Sequence, residues 1–120
     1  MNLSEEQKNY MLKEYLRHIS HMQDIEYQIR VWIKNEGPEC QAFDDAVCDF
    51  FDIEDPILED YKNFGISEIQ YSLLKNFRDK FRAFSNENDR PFEFIETPEW
   101  VKIMQSAKEV LRAFNYNKEP

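Results

Sequence analysis

Residues 12–32 read LKEYLRHISHMQDIEYQIRVW. Apolar side chains fall at Leu12, Leu16, Ile19, Met22, Ile25, Ile29 and Trp32, in steps of three or four residues. That is the helical period, so the stretch predicts an amphipathic helix and not a strand. Working outward, the helical pattern runs from about Leu3 to Asn35. Ser4, followed by Glu6 and Gln7, supplies an N-cap with a capping box, and Gly37-Pro38 ends the segment. A continuous helix of this length would reach roughly 48 Å, long for a chain of 120 residues, which leaves room for a break near Ser20.

The rest of the chain repeats the pattern. A second helix is expected over about Pro38 to Asp52, with Phe43, Ala46, Val47 and Phe50 as its apolar stripe. Asp55-Pro56 predicts a short third helix, with Pro at its first position, carrying Ile57, Leu58 and Tyr61 and stopping near Gly65. Ser67-Glu68 opens a fourth, whose stripe is Ile69, Leu73, Phe77, Phe81 and Phe84. Asn86 to Arg90 reads as a polar loop. Phe92 and Phe94 alternate with Glu93, which allows a short extended piece but is read as aromatic cover over helix ends. Thr97-Pro98-Glu99 joins a cap, a proline and an acid at the start of a last helix, with Trp100, Met104, Ala107, Leu111 and Phe114 inward. The tail from Asn117 to Pro120 is expected to fray. No internal repeat, low-complexity tract or linker interrupts the chain. The expected fold class is all-α, a compact bundle of about five helices in a single domain spanning residues 1–120.

Composition agrees. Aromatic residues make up 15% of the chain, far above what disordered segments carry. Two glycines, Gly37 and Gly65, are few for a sheet fold with many tight turns. No apolar run approaches the ~20 residues of a membrane span. The N-terminal MNLSEEQKNY lacks the basic and apolar regions of a signal peptide. Cys40 and Cys48 on one helix would sit roughly 12 Å apart, too far for a disulfide. Free thiols fit a reducing cytoplasm.

The charge is uneven. The net charge is -9, which argues against nucleic acid or an anionic membrane as the main partner and favours a basic protein. Between Asn35 and Tyr61 there is no Lys or Arg, yet those 27 residues hold ten acids: Glu36, Glu39, Asp44, Asp45, Asp49, Asp52, Glu54, Asp55, Glu59 and Asp60. The remainder holds 14 acids and 15 bases, so the whole excess lies in one quarter of the chain. Elsewhere opposite charges stand at helical spacing, as in Glu14–Arg17, Glu26–Arg30, Lys75–Asp79 and Glu109–Arg112. In the second helix the spacing is kept but the sign is not. Asp45, Asp49 and Asp52 fall on one face, away from Phe43, Val47 and Phe50. The face is expected to be solvated, mildly self-repelling and without internal partners. One reading is a solubilising surface. The other, preferred because the charge is focused and not spread, is a docking surface built from Asp44, Asp45, Asp49, Asp52, Glu54, Asp55, Glu59, Asp60 and Tyr61.

Catalytic and cofactor chemistry is not expected. His18 and His21 stand one turn apart, with Glu14 and Asp24 a turn to either side, but the spacing is not HExxH and no third His exists. Two helix-surface imidazoles are the simpler reading. Cys48 falls on the acidic side of its helix, a poor setting for a nucleophilic thiolate. Nothing resembles a phosphate loop or a pair of carboxylates across a cleft. Lys75, Arg78, Lys80 and Arg82 make the fourth helix locally basic, a surface that balances the acidic one better than it would bind nucleic acid.

In size, sign of charge, lack of a signal peptide and the Glu36–Asp60 acidic run, the chain resembles the small acidic immunity proteins of bacterial toxin–immunity systems, of the contact-dependent growth-inhibition type in particular. The resemblance implies a cytosolic, bacterial protein that neutralises a cognate toxin domain, an RNase-type nuclease with a basic cleft being the leading expectation. Two other readings stand beside it. One is a nucleic-acid mimic that sequesters a DNA- or RNA-binding protein. The other is a helical adaptor with apolar contacts through Trp100, Phe92 or Phe94. Amphipathic helices pair within or between chains, so the oligomeric state is left open.

Overall fold

The computed structural model describes residues 3–38 and 42–116, and they form an all-α fold with no strand among them. The helices are α1 (Glu5–His21), α2 (Ile25–Tyr27) running on into a π-helical stretch (Gln28–Ile33), α3 (Phe43–Glu59), a 3-10 turn (Tyr61–Phe64), α4 (Glu68–Glu87), α5 (Pro91–Phe94) and α6 (Pro98–Ala113). α4 packs along α6, and α1 packs against both α3 and α6. Among the described residues no helix is long and apolar enough to cross a membrane.

The starts follow the expected chemistry. The Ser4 hydroxyl accepts from Gln7 N, and the Gln7 side chain accepts from Ser4 N. Ser67 and Gln70 repeat the arrangement at α4, and Thr97 caps α6 through Trp100 N. Each satisfies backbone donors that a helix start leaves without intrahelical acceptors.

The first segment breaks, slightly later than Ser20. Asp24 accepts from Tyr27 N through its side chain, so it caps a new helix immediately after Met22 closes α1. A single helix would also outrun the molecule, whose longest extent is 40 Å. The break turns the second piece about its axis. Ile25 and Ile29, expected inside, are 42% and 37% exposed; Tyr27, Gln28 and Val31 are buried in their place, and Trp32 is buried as expected. Beyond it the backbone closes wider turns, with Lys34 N donating to Ile29 O, and the helix ends before Gly37 because Asn35 adopts positive φ.

Two boundaries in the middle of the chain differ from expectation. The helices expected over Pro38–Asp52 and from Asp55 onward are one helix, and Pro56 lies inside it. Proline removes the N–H that would bond to the Asp52 carbonyl and costs about 3 kcal/mol in a helix interior. Here Asp52 and Pro56 both face solvent, so water can serve the carbonyl, and the buried side chains of Phe50, Ile57 and Leu58 hold the helix together across the gap. Further on, Phe92 and Phe94 stand on the short helix α5 and not on an extended piece; Phe94 is buried and Phe92 is exposed. Ile69, expected in the α4 stripe, is 75% exposed, whereas Leu74 is fully buried with Phe77 and Phe81. The tail from Asn117 lies outside the described residues.

The core is aromatic. Trp100 meets Trp32, Phe43, Phe81, Phe84 and Phe94 at centroid distances of 4.9 to 6.4 Å, each ring pair tilted or edge-on, the arrangement that ring quadrupoles favour. One buried amide ties this core to the chain break. Gln28 donates from Nε2 to the His21 carbonyl (3.0 Å) and accepts at Oε1 from Trp100 Nε1 (2.9 Å). Replacing Gln28 with Leu would leave the indole N–H and a helix-end carbonyl without these bonds. Gln28→Leu is expected to lower the unfolding free energy by about 1–3 kcal/mol, measured by urea denaturation; an unchanged midpoint would contradict this role.

Candidate functional site: the acidic face of α3

α3 is divided lengthwise. Phe43, Ala46, Phe50, Glu54, Ile57 and Leu58 are buried, and Asp44, Asp45, Asp49, Asp52, Asp55 and Glu59 are exposed. At about 100° per residue, the six exposed carboxylates fall within an arc of about 140°. Asp60 follows at the helix end, exposed, and accepts from the Asn63 side chain at 2.7 Å. Glu36 is exposed on the preceding loop. Glu39 and Cys40 lie outside the described residues.

Helix stability explains only part of this charge. Asp44 and Asp45 stand in the first turn, where carboxylates meet the positive end of the helix dipole, and Asp45 reaches back to accept from Ala42 N. Ala42 offers no side-chain oxygen of its own, so this is half of a capping box. Glu59 and Asp60 stand at the opposite end, where negative charge opposes the dipole, and no base occupies the last turn.

The edges of the face are not bare, which corrects the expectation that it lacks internal partners. On one edge His18 of α1 lies within electrostatic reach of Asp49. Burial, then the neighbouring Arg17, holds the His18 imidazole below its ordinary value, while Asp49 and Glu14 act in the opposite sense. On the other edge stands the basic stretch of α4. The Arg82 guanidinium sits 4.6 Å over the Phe51 ring, and Arg78 Nε donates to Asp79 Oδ1 at 3.2 Å. Between those edges the outer surface of α3 is carboxylate, with Cys48 exposed one turn from both Asp44 and Asp52.

Two residues expected on the docking surface stand elsewhere. Tyr61 is half-buried in the 3-10 turn; its hydroxyl donates to Glu68 Oε1 at 2.7 Å and its ring stacks on Tyr71 at 4.0 Å. Glu54 is the larger correction. It is 0% exposed, because it follows Phe50 by four residues and precedes Ile57 by three, at the centre of the apolar side. That spacing was visible in the sequence; the surrounding acids drew it into the wrong group. Neither carboxylate oxygen of Glu54 receives a hydrogen bond. Arg78 Nε is 3.4 Å from Oε1, but its single N–H is already directed at Asp79. Burial pushes the Glu54 carboxyl up to about 8, against the pull of Arg78 and Arg82. At neutral pH it is therefore mostly uncharged and adds nothing to the acidic face.

The other candidate centre does not gather. The His18 and His21 rings are edge-on at 6.5 Å, His21 stacks on Tyr27 at 3.8 Å, and the Asp24 side chain caps α2. Among the described residues no group of three or more His, Cys, Asp and Glu side chains is arranged to hold a metal ion.

Glu54 has a measurable consequence. The unfolded carboxyl ionises near the ordinary 4.5 and the folded one near 8. Between those values the folded state keeps a proton that the unfolded state has lost, so this group makes stability fall as pH rises through the window and level off above it. The slope is at most about 1.4 kcal/mol per pH unit. Relative to wild type, Glu54→Gln is expected to gain stability steadily from about pH 5 to about pH 8 in urea denaturation; parallel pH profiles would contradict the buried, protonated state.

Comparison with protein-family models, with curated proteins and with solved structures finds no match to this chain.

Proposed function

We propose that the chain is a binding protein whose acidic α3 face docks a basic protein, and that the partner is a cognate toxin domain, of RNase type, which this protein neutralises as a cytoplasmic immunity protein. One observation carries the reading: six exposed carboxylates share one side of a single helix, within a 27-residue stretch that holds no Lys or Arg. A helix that needed acids only for its own stability would carry them in its first turn. A chain that needed them only for solubility could spread them over its whole surface.

The mechanism follows from charge. Asp52, near the middle of the face, and Asp55, exposed toward its α4 edge, would meet Lys and Arg lining the toxin's substrate cleft. The flanking carboxylates speed encounter and orient it, and a few central contacts that exclude water set the lifetime of the complex. No catalytic step or cofactor enters this account. Adaptor contacts through Trp100 and Phe94 are disfavoured because both side chains lie in the core; Phe92 alone of the three is exposed.

The test separates a focused face from mere net charge. Asp52→Lys with Asp55→Lys is expected to slow association with the toxin domain by at least about tenfold. Glu26→Lys with Glu96→Lys, an equal charge change at exposed positions outside α3, should have a much smaller effect. Wild-type association should also slow steeply as salt rises. Equal effects of the two double variants, or a rate flat in salt, would contradict docking through α3. The toxin itself is sought in the gene immediately upstream. A secreted product whose C-terminal domain is toxic unless this protein is co-expressed supports the immunity role, and a non-toxic neighbour contradicts it.

A further inference from the structure

The seam between α1, α3 and α4 holds a buried acid that takes no part in docking. Glu54 enters it from α3 with both oxygens buried and without hydrogen bonds, and the Tyr15 hydroxyl from α1 is buried there in the same condition. The charged groups facing it from α4 are Arg78, at 3.4 Å, with Asp79 and Arg82 beyond; Asp55 is its neighbour on α3. The adjoining 3-10 turn directs its Tyr61 hydroxyl to Glu68 instead. A neutral carboxyl can stay in such a seam at modest cost, whereas a carboxylate there lacks the hydrogen bonds that would repay its desolvation. Two residues on, Pro56 leaves the turn around it one backbone bond short.

We propose that Glu54 is a proton-operated latch: its neutral carboxyl keeps the second half of α3 seated against α1 and α4, and its ionisation opens that half at the Pro56 turn. Opening carries Glu54 to water and unseats Ile57 and Leu58, which follow it on the buried side. Asp55 and Glu59 move with them, so the latch sets the shape of the C-terminal half of the acidic face. The inference concerns the fold and stands whether or not that face docks a partner.

Native-state hydrogen exchange of the Ile57, Leu58 and Glu59 amides tests it, in the full chain and without any partner. If the segment opens as a unit, these amides are less protected than those of Val110 and Leu111 in the core of α6, which report global unfolding. If Glu54 ionises in that opening, their protection, corrected for intrinsic exchange, falls by about tenfold per pH unit between about pH 5 and pH 8. In Glu54→Gln the fall should vanish. Pro56→Ala, which restores the missing donor, should raise the protection of the segment several-fold while leaving the pH slope intact. The latch is overturned if the three amides are as protected as those of α6, if their protection is independent of pH, or if Glu54→Gln keeps the wild-type slope. Unchanged protection in Pro56→Ala overturns the hinge.

Discussion

The indole of Trp100 is where the helices converge. It stands at the start of α6, fully buried, and touches rings from the π-helical stretch, α3, α4 and α5. Its one polar atom is served by Gln28, whose amide also holds the last carbonyl of α1. Around Trp100 the core is thus a set of edge-on and tilted rings with one amide clasp. Truncating a buried aromatic in such a core costs about 3–5 kcal/mol. The same constraint orients α3. Phe43 meets Trp32, Phe81, Phe94 and Trp100, and Phe50 meets Tyr15, Phe77 and Phe81. With those two rings fixed, rotation about the helix axis is fixed, and the six exposed carboxylates must face outward.

The division of α3 is therefore a packing result before it is an electrostatic one, and Glu54 shows the consequence of being on the wrong side. The same carboxyl group that is solvated at Asp52, Asp55 and Glu59 is forced by position into the apolar seam at Glu54. There it is mostly neutral, with Arg78 turned to Asp79. The basic stretch of α4 lies along one edge of the acidic face and not across it, so its charges border the carboxylates without covering their centre.

Much of this was legible in the sequence. The cap signals at Ser4, Ser67 and Thr97, the helical period, and the all-α class are local properties, and local chemistry decided them. One reading that failed was local as well: Asp24 caps α2 through Tyr27 N, and without that cap Ile25 and Ile29 are expected inside. The others depended on contacts between elements. Pro56 was read as a start because a proline at a helix start needs no neighbours, whereas one in a helix interior survives only when buried residues on both sides hold it. The candidate face was legible as a charge run, and the place of Glu54 on the apolar side was legible in its spacing from Phe50 and Ile57. The groups that meet it and Tyr61 were not, because they come from α4: Arg78 beside Glu54, and Glu68 and Tyr71 against Tyr61.

Cys48 offers the most direct view of the central claim, because its exposed thiol sits among the carboxylates of the α3 face. The measurement is the rate of alkylation at Cys48, resolved by peptide mass spectrometry, for the protein alone and with the proposed toxin partner at low salt. Docking through this face should protect Cys48 in the complex, and raising the salt should return the rate to that of the protein alone. A Cys48 that reacts at one rate in the complex and alone would contradict the account.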